Sequence, residues 1–204
     1  VGQIVSGLKQ LGFFNVIEAA LGADMVAYKE AKELSEKKFL TSSCCPAFVR
    51  YIETQFPGVA KDISHNLSPM AEISKHIKRL HPSSKVIFIG PCTAKKAERK
   101  NEQVGDYVDV VLTFEELRGM LEAKNIDFSQ IPDEQAQYEA SAPGVGFAAS
   151  GGVAKAVEKV IEKLEPDRQV KTVYAEGLRE CRQMLRVART GKYDGYLLEG
   201  MACP

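Results

Sequence analysis

Strand-length apolar runs recur along this chain, and an amphipathic stretch follows almost every one. "FLTSS" leads into "PAFVRYIETQF", "KVIFIG" into "TAKKAERK", "YVDVVLT" into "TFEELRGMLEAKN", and "VKTVYAE" into "GLRECRQMLRVART". That alternation leaves few solutions. Each helix must bury its apolar stripe against a sheet, and a helical crossover returns the next strand parallel to the last. The expected fold is α/β with largely parallel strands, and 204 residues suit one large domain or two small lobes.

The other segments fit the same scheme. "VGQIVSGLKQLGF" reads as a helix closed by Gly12, "DMVAYKEAKELSEKK" as a helix, and "SPMAEISKHIKRL" as a helix capped by Ser68. "NVIEAAL" reads as a strand, "SGGVAKAVEKVIEKL" as a helix after two glycines, and "YDGYLLEG" as a final strand. Between residues 125 and 145 the pattern weakens, which predicts a surface excursion or an interlobe linker. The 27 acidic and 27 basic residues balance, with no basic tract, so nucleic acid and membrane surfaces are poor partners. No apolar run is long enough to span a membrane, and no signal peptide opens the sequence. Five cysteines, an odd number, argue against a disulfide framework and for a reducing, cytoplasmic setting.

Four of those five cysteines share one context. Cys44 and Cys45 follow "FLT", Cys92 follows "KVIFIG", and Cys203 follows "GYLLEG". Each lies just past the carboxyl end of a predicted strand, the rim where α/β proteins assemble their sites. Cys181, inside "LRECRQML", reads as a small buried hydrophobe. There is no C-x-x-C pair, and His65, His76 and His81 show no ligand spacing, so this is not a zinc-ribbon pattern. Thiolates gathered from three strand ends suit an iron–sulfur cluster or zinc; taken singly, each cysteine also fits an ordinary buried strand end. Adjacent cysteines rarely bond to each other. At a helix start their side chains diverge by about 100°, so one thiol can hold a metal while the other faces a cavity.

"TSSCCPAF", "GPCTAKKAE" and "EGMACP" resemble the three signatures of the catalytic domain of FeFe-hydrogenases, T-S-C-C-P-x-W, M-P-C-x-x-K-x-x-E and E-x-M-x-C-x-G-G-C, in the family order. The flanking "LGFFNVIEAALGADMVAYKEAKEL" and "VVLTFEELRGMLEAKNID" are similar to the family as well, so the resemblance covers nearly the whole chain. It implies two lobes of largely parallel sheet flanked by helices, with a metal site in the cleft between them. It implies reversible reduction of protons to dihydrogen at an H-cluster, a 4Fe–4S cubane linked to a two-iron unit. Carried over position by position, Cys45, Cys92 and Cys203 are the cubane ligands and Cys44 is the proton-carrying thiol. Lys95 is the lysine that bonds a cyanide, and Glu98 the conserved acid of the second signature. Met201, Pro91, and Phe147 and Ser150 of "GFAASGG" line the cofactor. Glu30, Ser64 and Glu33 continue a proton route from Cys44 to solvent. Without the resemblance, Glu30 and Glu33, at i and i+3, read as a solvated helix face.

The resemblance also implies an electron partner, such as ferredoxin or a ferredoxin-like domain or subunit, and maturation factors. Residues 1–204 are expected to be an incomplete H-cluster domain: they stop before the G-G-C whose cysteine bridges to the two-iron unit, and the fragment alone is expected to be inactive and need hold no cofactor. Phe48, Gly90 and Met70 stand where the family has tryptophan, methionine and glutamine. Two alternatives stay open: a hydrogen-sensing homologue of low activity, and a non-catalytic iron–sulfur protein of the Nar-type assembly-factor kind.

Overall fold

The computed structural model describes residues 2–37, 39–134 and 139–203. The helices are α1 (Gly2–Gln10), α2 (Ala20–Glu36), α3 (Pro46–Gln55), α4 (Pro69–Leu80), α5 (Ala94–Glu98), α6 (Glu102–Gly105), α7 (Phe114–Ala123), α8 (Ala142–Gly146), α9 (Gly152–Leu164) and α10 (Leu178–Ala188). The strands are β1 (Leu40–Thr41), β2 (Ile87–Ile89), β3 (Val110–Leu112), β4 (Lys171–Glu176) and β5 (Tyr196–Met201). They form two sheets, one ordered β1-β5-β4 and the other β2-β3, and every strand pairing is parallel. The α/β expectation holds, and helices cover both sheets.

Side-chain alternation assigns each face. In the three-stranded sheet Leu40 and Leu197 pair and face α2 and α9, where Val26, Ala27, Val153 and Val157 complete the layer. Leu198, Val173 and Ala175 face α3 and α10, against Phe48, Ile52, Cys181 and Leu185. In the two-stranded sheet Phe88 and Val111 pack on Met70, Ala71, Val104 and Val108, while Ile89 faces Leu8, Leu117 and Leu121. Each large apolar side chain buried this way contributes about 1.5–3 kcal/mol. Local signals set the helix ends. Ser68 accepts from Ala71 N at the start of α4, Thr113 and Glu116 form a capping box on α7, and Gly12 closes α1 at φ 98°.

One expectation changes. "NVIEAAL" is not a strand: helical bonds already run from Leu21 N to Glu18 O and from Ala23 N to Ala19 O. Its alanines and leucine favour helix, and α2 crosses α4 so closely that a Cβ on Gly22 would lie 2.2 Å from Pro69 O. "KVIFIG" makes only a three-residue strand, and Ile87, Phe88 and Ile89 are each half-buried. Within 125–145, where an excursion or linker was expected, most described residues are exposed, and a few contacts hold the segment to the rest. Ser6 Oγ donates to Pro132 O at 2.8 Å, Ile131 is buried, and Ser141, which caps α8, is held by Asp24. Residues 135–138 of that segment lie outside the described residues, as does Pro204 after Cys203. No described helix is long and apolar enough to cross a membrane.

Candidate metal centre

The two adjacent cysteines have different surroundings. Cys45 is the N-cap of α3, where Pro46 fits the first helical position, and its Sγ accepts from Ala202 N at 3.5 Å. Cys45 is half-buried and packs at the edge of the α3/α10 layer. Cys44 is buried in the opposite layer with Phe147, Val153 and Leu197. Burial, and then the Glu30 charge, push its thiol pKa far up, so Cys44 keeps its proton. Lys95 acts in the opposite direction and donates from Nζ to the Cys44 carbonyl at 3.0 Å.

Cys92 follows β2, half-buried, and Cys203 follows β5, exposed. Burial raises the Cys203 pKa, and the nearby Cys92 and Cys45 raise it further. Thiols from the ends of both sheets therefore share one neighbourhood. Among the described residues, no three His, Cys, Asp or Glu side chains converge tightly enough to hold a single metal ion. A 4Fe–4S cubane asks for wider spacing, because each thiolate binds a different iron. The donor set fits a cubane in kind. Cys181 stays in the core, with its Sγ 3.7 Å from Ala175 O and its pKa pushed up to about 11, chiefly by burial.

The surrounding groups fit an anionic cofactor. Lys95 is buried and ion-paired to Glu98 at 2.7 Å. With the Cys44 carbonyl this uses two of its three ammonium donors, leaving one for a ligand. In the 146–152 loop Phe147 is buried and the Ser150 hydroxyl is sealed from solvent without a hydrogen-bond partner. Met201 ends β5, packed against the same layer as Cys44. Pro91 is exposed.

Glu30 and Glu33 part company here. Glu30 is fully buried, so it is not the solvated group that helical spacing alone suggests. Burial pushes its pKa up to about 8; Glu33 and Glu199 add to this, while the Ser43 N–H and Ser64 oppose it. Glu30 therefore carries a proton at neutral pH. Glu33 sits nearer the surface, where burial alone would raise its pKa, but Lys37, Ser64 and the His65 N–H outweigh burial and hold it low. Ser64 Oγ donates to Glu33 Oε2 at 2.8 Å, and Asn66 Nδ2 reaches the same oxygen at 2.8 Å. The structure thus gathers Cys44, Glu30, Ser64 and Glu33 into one line of polar groups from the interior towards the surface.

Some participants are not singled out by sequence reasoning. Lys37 is at i+4 from Glu33 and pairs with it at 2.7 Å, a legible spacing. Asn66 carries no such signal. Glu199 does carry one, since it is an acid inside the apolar strand "YLLEGM" and proves fully buried. The three residues that differ from the family pattern all lie in packed surroundings. Phe48 is fully buried on Gly200, where a Cβ would meet its ring at 2.4 Å. The Phe88 ring fills the space beside Gly90, and Met70 belongs to the core of the two-stranded sheet.

The family described as iron only hydrogenase large subunit, C-terminal domain, matches residues 1–204. Iron hydrogenase 1 of Clostridium pasteurianum is 28% identical over 223 residues, covering 98% of this chain and 39% of that protein. The chain therefore spans about two fifths of that relative's length. Cytosolic Fe-S cluster assembly factor NAR1 of Botryotinia fuckeliana is 33% identical over 133 residues, 55% of this chain and 23% of NAR1. A solved variant of FeFe-hydrogenase HydA1 from Chlamydomonas reinhardtii superposes with a TM-score of 0.77 at 18% identity, over 100% of this chain and 71% of that one. At that identity the superposition speaks to fold alone.

Proposed function

The chain belongs to the iron-only hydrogenase large-subunit family, and from that premise we propose that it forms the H-cluster region of an oxidoreductase that interconverts protons and dihydrogen. When bound, the H-cluster supplies the electron store and the iron at which dihydrogen is made or split. The chain's own residues hold it and move protons. Cys45, Cys92 and Cys203 would hold the cubane, Lys95 would offer its remaining ammonium donor to the two-iron unit, and Met201, Phe147, Ser150 and Pro91 would line it. Cys44 holds a proton at Sγ, Glu30 exchanges it, and Ser64 relays it to Glu33 at the surface. Electrons come from a ferredoxin or a ferredoxin-like domain or subunit, and maturation factors supply the two-iron unit. Five free thiols suit the reducing cytoplasm.

One observation carries this reading: a fully buried acid, Glu30, near a buried thiol, Cys44, continued through Ser64 to Glu33. A protein that only holds a cubane has no use for such a line. The NAR1 relatives favour that second reading. The test is infrared spectroscopy of the full-length protein after maturation, alongside hydrogen evolution. CO and cyanide bands with turnover support the hydrogenase, and bands with slow turnover support a sensor. A cubane without bands or turnover would move the protein to the assembly-factor reading.

A further inference from the structure

The third signature begins with an acid to which neither the cubane nor the proton route gives a task. Glu199 lies on β5 with no part of it exposed. Its Oε1 accepts from Gly151 N at 2.9 Å and its Oε2 from Ala154 N at 2.9 Å. The Val153 N–H also lowers its pKa, against the larger rise from burial. These amides form the first turn of α9, where backbone donors have no partner inside the helix. The N-cap of α9 is Gly151, held at φ 76° with no side chain to serve as cap. The cap thus comes from a neighbouring strand.

We propose that Glu199 is a positioning residue: from β5 it caps α9, and so fixes the 146–152 loop in one frame with Met201 and Cys203. The loop has little other freedom. Gly152 lies so close to the chain at Gly146 that a Cβ would be 2.1 Å from Gly146 O. Phe147 and the sealed Ser150 hydroxyl sit on the same loop, so the carboxylate that anchors Gly151 also sets where they lie. Both carboxylate oxygens are needed because there are two separate donors. Glutamine offers one acceptor and turns an NH2 towards an N–H, and aspartate is one methylene short. Helices more often take such a cap from Ser, Thr, Asp or Asn in the preceding residue. Placing it on β5 couples the loop to the strand that ends at the metal centre. The capping stands on the geometry alone; its bearing on the cofactor rests on the function proposed above.

Hydrogen–deuterium exchange of the full-length protein without cofactor tests the cap. In the wild type, the Gly151 and Ala154 amides should be as protected as the middle of α9. Exchange as fast as an open loop would overturn the proposal with no substitution needed. In Glu199→Gln, exchange at residues 147–154 should rise about tenfold or more while β4, β5 and α10 keep their protection. Unchanged exchange at 147–154 also overturns it, and so does an equal rise everywhere, which marks a general stability role. In the matured protein, Glu199→Gln should shift or broaden the infrared bands. If the wild type shows no such bands, the proposed function fails while the exchange result still decides the cap.

Discussion

The two faces of the three-stranded sheet share one backbone and differ in chemistry. The face towards α3 and α10 is mostly apolar: Leu198 and Val173 meet Ile52, Leu185 and Cys181, the Cys181 thiol rests on backbone carbonyls, and the buried Thr41 hydroxyl, without a partner, is the exception. The face towards α2 and α9 begins the same way, with Leu40 and Leu197, and then turns polar at the carboxyl ends of its strands. There Glu199, Ser42, Cys44 and Glu30 are all buried, and Glu30 Oε2 and Ser42 Oγ have no hydrogen-bond partner. Buried polar groups left unpaired cost about 1–3 kcal/mol each. The α2/α9 face thus holds the buried carboxyls, Glu30 and Glu199, and the α3/α10 face holds none.

The sharpest way to break this contrast is at the neighbouring thiols. Cys45→Ala in the full-length protein should lose or damage the iron–sulfur absorption. Cys44→Ala should keep that absorption and lose hydrogen turnover by about 10²–10⁴-fold, the usual worth of a positioned proton carrier. Equal loss of iron in both variants would erase the division of labour between the two layers. On the apolar face, Leu185→Ala removes a fully buried side chain and should cost about 2–5 kcal/mol in urea unfolding. That cost should be the same at pH 5 and pH 9, because its neighbours on that face are apolar. A pH-dependent cost there would show that the two faces are not separate.

Much of this was legible in the sequence. The strand–helix alternation foretells parallel sheets, because each pattern has its own period. The four strand-end cysteines are legible as site candidates, because the carboxyl ends of strands in a parallel sheet lie along one rim. Ser68 foretells its cap, which is local chemistry. The misses are tertiary. "NVIEAAL" satisfies a strand pattern but has no sheet neighbour to join, and its last two residues, Ala20 and Leu21, belong to α2. Helical spacing cannot tell whether the face bearing Glu30 meets water or another layer, and here it meets α9 and β5. The partners of Glu199 lie 45 and 48 residues away in sequence, beyond any local pattern.

The smallest expected effect separates burial from mere proximity. Glu30 has an ordinary pKa of 4.5 when unfolded and about 8 when folded. Below pH 4.5 both states hold the proton, and its titration adds nothing to the pH dependence. From pH 4.5 to 8 the unfolded chain releases the proton while the folded chain keeps it, so this group lowers stability as pH rises, and the loss levels off above pH 8. Glutamine does not titrate. Glu30→Gln should therefore gain on the wild type by about 1–3 kcal/mol between pH 5 and pH 9, read from urea midpoints at each pH. Parallel curves would mean that Glu30 reaches water in the folded protein. The polar end of the α2/α9 face would then be an open cleft, and the line from Cys44 to Glu33 would have no dry segment to protect.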